Sequence, residues 1–149
     1  MQVKDILEQK QQKGRVVVTI DEGKTLQDAV ELLVAHNIGA LVAVDGKGAV
    51  RGILTERDVL RESASRRHLH ERRVGEMMSK AVVTGTPDDS IKAVQRLMLE
   101  HRIRHLPIVE GVKLVGIVSM RDLVSVLLEA TEAEANDLRA FLVEKNVVS

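Results

Sequence analysis

The sequence predicts an α/β (α+β) fold in which two β-α-β-β-α units pack sheet to sheet about a pseudo-two-fold axis, followed by a C-terminal helix. Three observations carry this. The phrase "GILTERDVL" at residues 52 to 60 returns as "GIVSMRDLV" at residues 116 to 124. The flanking stretches align too, at a constant offset of 65 that sets Thr19 on Thr84, Thr25 on Ser90, Leu32 on Leu97 and Val44 on Val109. Finally, a unit of roughly 60 residues buries too little apolar surface to stand alone, so two copies should cover each other's sheets.

Each element follows from local pattern. The lead-ins match in character, "VKDIL" at 3 to 7 and "VGEMM" at 74 to 78. "VVVTI" at 16 to 20 is a β-branched strand. Thr25 then caps a helix whose Leu26, Ala29, Val30 and Leu33 recur at helical spacing. In the second copy Pro87 and Asp88 make the turn, Ser90 caps, and Ile91, Val94, Leu97 and Met98 form the stripe. "ALVAV" at 40 to 44, the turn "DGKG" and "AVRGIL" at 49 to 54 read as a hairpin. "HLPIV" at 105 to 109, a turn around Gly111 and "KLVGIV" at 113 to 118 read as its counterpart. A helix starting near Glu56, and another near Met120, closes each copy.

Between the copies, "RESASRRHLHERR" at 61 to 73 is polar and basic, which suits a linker or an exposed helix end. After the second copy, Thr131 and Glu134 have capping-box spacing. Leu138, Phe141 and Leu142 would share a face of the helix that follows, laid on the core or on a partner chain. The expected divisions are 1–70 for the first unit with its lead-in and linker, 71–130 for the second, and 131–149 for the helical extension.

Composition narrows the function. The 149 residues are 44% hydrophobic, enough for a packed interior, and 22 Lys and Arg balance 22 Asp and Glu. No global field therefore draws the chain to nucleic acid or anionic lipid. Phe141 is the only Phe, Tyr or Trp, so a stacking platform for bases is missing. There is no Cys, which removes disulfides and thiolate-bound metal. The N-terminus lacks the apolar core of a signal peptide, and no apolar run reaches spanning length. The expectation is a cytoplasmic protein without membrane insertion.

The repeated phrase has two readings. Thr55 with Asp58, and Ser119 with Asp122, have the spacing of helix caps, and Asp in a first turn complements the helix dipole. Capping does not require Gly52 and Gly116 three residues upstream, where a missing side chain lets something approach the backbone. A nucleoside fits that chemistry. A carboxylate accepts from both hydroxyls of a ribose diol, and a helix start offers N–H groups to phosphate. An adenine ring would then lie among aliphatic side chains such as Ile38, Leu41, Ile103 and Leu106.

Tandem units of this size ending in G-apolar-apolar-[TS]-x-x-D resemble a pair of cystathionine-β-synthase (CBS) domains, a Bateman module, over residues 1 to about 129. The resemblance implies two pseudo-symmetric clefts that bind adenosine-containing ligands: AMP, ADP, ATP, NAD or S-adenosylmethionine. It implies ribose binding by Asp58 and Asp122, with Thr55 and Ser119 at ribose or phosphate and Thr19 and Thr84 lining the clefts. "IRHLP" at 103 to 107 resembles the phosphate-contacting stretch of a nucleotide-sensing kinase subunit, which carries phosphate roles to Arg104 and His105, next to Pro107. The first copy has Gly39, Ala40 and Val42 at those places, so its cleft should differ, with room at Gly39 for a larger or less anionic group. Arg57 and Arg121 precede the two Asp residues and are either phosphate partners or solvated helix-start residues.

Other constellations are weaker. His68 and His70, two apart, would point away from each other on a helix, and His36 and His101 sit where a His supports a helix dipole. There is no P-loop or G-x-G-x-x-G, and no metal site, catalytic cofactor or enzyme is expected. The leading expectation is a stand-alone regulatory module binding an adenine nucleotide as a homodimer, paired through the closing helices and read by a regulated enzyme or transporter. The alternatives are a scaffold with degenerate ligand sites, and a nucleic-acid-binding protein using the basic linker.

Overall fold

The computed structural model of the chain describes residues 1–144. The elements are α1 (Val3–Gln12), β1 (Thr19–Asp21), α2 (Leu26–His36), β2 (Ala40–Val44), β3 (Val50–Thr55), α3 (Glu56–Ala64), a 3-10 turn (Leu69–Glu71), α4 (Val74–Met77), α5 (Ile91–His101), β4 (His105–Glu110), β5 (Lys113–Ser119) and α6 (Met120–Glu144). The expected caps are in place. Thr25 Oγ1 accepts from the Asp28 N–H at 3.1 Å, and Ser90 Oγ from the Ala93 N–H at 3.1 Å. Both helices end on a left-handed residue at the matching position, Asn37 (φ 50°) and Arg102 (φ 53°).

The first sheet has the order β1-β2-β3, with β1 parallel and β3 antiparallel to β2. The second is the hairpin β4-β5, and its third strand is reduced to a parallel bridge between Gly85 and Ile108. The "VVVTI" strand is correspondingly shorter than its composition suggests. Only Thr19–Asp21 pairs, while Val16 and Val17 are exposed. β-propensity without a paired neighbour or a buried face does not make a strand.

Period-two alternation explains how the sheets stack. Leu41, Ala43 and Leu54 point toward α2 and pack with Leu26, Ala29 and Leu33. Ala40 and Val42, on the opposite face, are equally buried yet stand outside that cluster. Likewise Leu106, Ile108 and Val118 pack with Ile91, Val94 and Met98, while Pro107 and Val109 are buried on the other face. A face turned away from the helices and still dry is covered by the other sheet. The hairpin ends join directly, with Val50 N–H donating to Val112 O at 3.2 Å and Leu114 N–H to Gly48 O at 3.3 Å.

The lead-ins are exchanged between the cores. Val3 and Ile6 belong to the core of the second copy, and Val74 and Met78 to that of the first. The backbone follows the same symmetry: Gln2 bridges to Ser90 and Arg73 to Thr25, which are the two helix caps. Here the glycines of the repeated phrase find their purpose. A Cβ on Gly52 would lie 2.5 Å from Met78 Sδ and 2.9 Å from Ser79 O, and one on Gly116 would lie 2.5 Å from Leu7 Cδ2. What approaches the backbone is the exchanged lead-in, not a ligand. Gly116→Ala is therefore expected to cost about 1–3 kcal/mol in urea unfolding, with part of the loss recovered by adding Leu7→Ala. An unchanged midpoint for the single variant would contradict this packing.

One further expectation is corrected. The extension does not begin a new helix at Thr131, because α6 is continuous and the Thr131 hydroxyl donates back to Leu127 O at 2.9 Å. No Gly or Pro interrupts residues 120–144. Residues 145–149 lie outside the described residues. The basic linker is exposed, as its composition implies, apart from Glu62, Leu69 and Arg72. Glu62 is buried and pairs with Arg72 at 3.6 Å, which ties the end of α3 to the entry of the second lead-in.

Candidate functional site

Topology gathers the singled-out residues at one end of each sheet. With β1 parallel and β3 antiparallel to β2, Thr19, Ala40 and Thr55 come to the same end of the first sheet, Ala40 opposite Thr55. Thr84, beside the Gly85 bridge, His105 and Ser119 come to the equivalent end of the second, His105 opposite Ser119. There each last strand runs directly into a helix, and the Asp of the repeated phrase sits in its first turn.

Both carboxylates cap. Asp58 Oδ2 accepts from the Thr55 N–H at 2.8 Å and the Thr55 hydroxyl at 3.2 Å. Asp122 Oδ2 accepts from the Ser119 N–H at 2.8 Å, while the Asp122 N–H donates to Ser119 Oγ at 3.1 Å. In each case Oδ2 takes the cap, and Oδ1 makes no hydrogen bond among the described residues. The nearest group to Asp58 Oδ1 is Arg61 Nη1, at 4.0 Å. Each cap thus occupies one oxygen and leaves the other open, so capping does not exclude a ligand.

The two sites differ at a residue that sequence reasoning missed. Lys10, carried in by the exchanged α1, donates from Nζ to Asp122 Oδ2 at 2.9 Å and to Ile117 O at 2.8 Å. Burial pushes the Asp122 carboxyl up, but the bonds from Ser119 and Lys10 outweigh it and hold it below its usual value. Among the described residues no lysine reaches Asp58, and the second lead-in helix already ends at Met77. A signal for Lys10 was present. It follows Val3, Ile6 and Leu7 at helical spacing on a buried face, where an ammonium requires partners.

The two copies touch at Gly39 and His105. A Cβ on Gly39 would lie 3.5 Å from His105 Cε1 and Nε2 and 3.5 Å from Glu56 Oε1. The room at Gly39 is thus bordered by the imidazole of the other copy and by Glu56, a second residue the sequence did not mark. Burial pushes His105 below the usual imidazole value of 6.5 against the pull of Glu56, and Arg104 adds to the lowering. A depressed folded value means stability that is full above 6.5 and lost as pH falls through the folded value. Melting temperature should therefore drop on acidification below about pH 6.5, and His105→Gln should remove that component. Identical pH profiles for the two proteins would contradict the burial argument.

Leu41 and Leu106 are core residues with no exposure, on the helix side of their strands. They cannot flank an adenine ring without leaving the core. Ile38 and Ile103 are partly buried against the same clusters and still reach the surface. Ala40 and Pro107 are buried between the sheets, whereas Thr19, Thr84, Arg57, Arg104 and Arg121 are exposed. Thr19 opens onto a depression of about 460 Å³, bordered by Asp21, Lys24, Asp28 and Leu32 on the far side of β2 from Thr55. His68 and His70 do not diverge: their rings stack at 5.3 Å, because the segment passes from extended backbone at His68 into the 3-10 turn. Among the described residues there is no group of three His, Cys, Asp or Glu placed to hold a metal, and no helix long and apolar enough to cross a membrane.

Known proteins share the two-unit architecture. The model of the CBS domain matches residues 3–65 and 74–129. The CBS domain-containing protein YhcV of Bacillus subtilis (strain 168) is 38% identical over 107 residues, which span 72% of this chain and 76% of that protein. The crystal structure of the CBS-domain containing protein ATU1752 from Agrobacterium tumefaciens superposes with a TM-score of 0.76 at 35% identity, covering 85% of this chain and 98% of that one. The CBS domain pair of protein MJ0100, in complex with 5-methylthioadenosine and S-adenosyl-L-methionine, gives 0.75 at 28% identity, with coverages of 88% and 98%.

Proposed function

We propose that this chain, which belongs to the CBS-domain family, is a non-catalytic regulatory module that binds adenosine-containing ligands at the strand ends where its two copies meet. One observation carries the reading. Asp58 and Asp122 occupy matched positions, each spending one oxygen on its own helix start and keeping Oδ1 without a hydrogen bond among the described residues. A ribose diol supplies the two O–H donors that such an acceptor takes. The ligands of the MJ0100 pair, 5-methylthioadenosine and S-adenosyl-L-methionine, share that diol and support the same class of ligand here.

The two sites should not be equivalent. Around Asp122 stand Lys10, His105 and Arg104, cations or potential cations suited to a phosphate, so AMP, ATP or NAD is the fitting ligand there. Around Asp58 the corresponding strand offers Ala40, and among the described residues the cation beside it is the exposed Arg61 at 4.0 Å and not a hydrogen-bonded lysine, which suits a less anionic adenosyl group. The module would act as a homodimer whose occupancy is read by a regulated enzyme or transporter. A thermal-shift panel with AMP, ATP, NAD, NADH and S-adenosylmethionine tests the reading. A ligand at about a hundred times its Kd adds roughly 2.7 kcal/mol, which should raise the melting temperature by about 5 °C or more. No shift with any of them would favour a scaffold whose carboxylates only cap.

A further inference from the structure

The junction of the two copies carries a titratable pair on one side only. The repeat sets Gly39, Ala40 and Glu56 on Arg104, His105 and Met120, and the backbone keeps that correspondence. Gly39 O accepts from the Glu56 N–H at 3.0 Å, as Arg104 O does from the Met120 N–H at 2.8 Å. Ala40 pairs with Thr55 as His105 pairs with Ser119. The imidazole therefore meets a carboxylate, while the matched positions, Ala40 and Met120, carry no charge. His105 Nε2 and Glu56 Oε1 border one small space, each 3.5 Å from where a Cβ on Gly39 would stand. Among the described residues no hydrogen bond or ion pair joins them, and the Glu56 side chain makes neither with any other group. The remaining charges acting on the imidazole are Arg104 beside it, Asp122 from α6 and Lys10 from α1. Those last two are paired with each other at 2.9 Å, which leaves Glu56 as the unpaired anion facing the ring.

We propose that Glu56 determines the specificity of the Asp122 site, by making acceptance of a ligand's phosphate conditional on a proton that His105 takes up. This rests on the reading of that end of the sheet as an adenosine site. Without ligand, burial and Arg104 keep the ring mostly neutral at pH 7 despite Glu56. A phosphate entering the space at Gly39 then finds a neutral ring and a carboxylate, and the like charges repel. One proton from solvent converts the ring to an imidazolium, which donates to a phosphate oxygen and offsets the carboxylate. An uncharged adenosyl ligand calls for no proton. The site should thus accept nucleosides at any pH near neutrality, and phosphorylated adenosines increasingly as pH falls.

Calorimetry with adenosine and adenosine 5′-sulfate at low ionic strength, at the site that Asp122→Asn weakens, tests this. The sulfate keeps its single charge across the range, so any proton taken up belongs to the protein. In wild type the affinity ratio of sulfate to adenosine should rise about threefold or more from about pH 8 to about pH 6. Heats compared across buffers of different ionisation enthalpy should show the proton uptake. Glu56→Gln should raise the ratio about threefold at pH 8 and flatten its rise, because the opposing charge is gone. His105→Gln should hold the ratio low throughout, and circular dichroism verifies that both variants are folded. A wild-type ratio that ignores pH, or a Glu56→Gln protein with the wild-type ratio at every pH, would overturn the proposal and leave the adenosine reading intact. A rise that persists in His105→Gln would assign the proton to another group and overturn it as well. Binding of neither compound by wild type would remove the adenosine reading, and the proposal with it.

Discussion

Leu106→Ala is expected to lower the free energy of unfolding by about 2–5 kcal/mol, and Leu41→Ala by a similar amount. Both side chains are wholly buried in matched clusters, Leu106 with Val94, Met98 and Val118, and Leu41 with Leu26, Ala29 and Leu54. Truncation leaves a cavity that α5 or α2 can fill only by shifting against its sheet. The same clusters hold the exchanged lead-ins through Val3 and Val74, so the loss should loosen both ends of the pair. Urea unfolding should show earlier midpoints, while ligand affinity measured on the folded fraction stays within a few-fold of wild type. A protein of full stability with adenosine binding abolished would instead place these leucines in the clefts.

Asp122→Asn and Asp58→Asn should each weaken an adenosine ligand at one site by about 10–150-fold, from the loss of a charge-assisted bond of about 1.5–3 kcal/mol. Asn keeps an oxygen for the cap and turns a donor toward the diol. The two variants should differ in stability. Asp122 is only 9% exposed and is the partner of Lys10, so its loss strands an ammonium that is itself 25% exposed, whereas the cation beside Asp58 is the exposed Arg61 at 4.0 Å. Because the Asp122 value is lowered in the fold, its contribution is present above the ordinary carboxylate value and is lost as pH falls through the lowered one. Asp122→Asn should thus be destabilised at pH 7 and show a shallower acid limb, with Asp58→Asn near wild type in stability at pH 7. Equal stability losses would mean that Lys10 contributes nothing to the pair.

Much of this architecture was legible because the repeat is read by eye and its physics is local. Caps at Thr25 and Ser90, the hairpin turns and the helix starts after Thr55 and Ser119 all depend on side chains within a few residues of one another. The failures are non-local. Gly52 and Gly116 announced a close approach, but only the three-dimensional exchange of lead-ins shows that Met78 and Leu7 make it. Leu41 and Leu106 looked available to adenine because a run such as "ALVAV" is apolar on both faces, and sequence alone does not say which face meets helix and which meets sheet. Lys10 acts on Asp122 across 112 positions of chain, a distance no spacing rule spans. Thr131 had the spacing of a cap, yet a helix already under way continued through it.

If Asp58 and Asp122 hold a ribose diol, affinity must depend on the two hydroxyls. Calorimetric titration of the wild-type protein with AMP and with 2′,3′-dideoxy-AMP tests it most directly. AMP should bind saturably, with a loss of at least tenfold for the dideoxy compound, which has the same base and phosphate and no diol. Equal affinity for the two, or heat from neither, would contradict it.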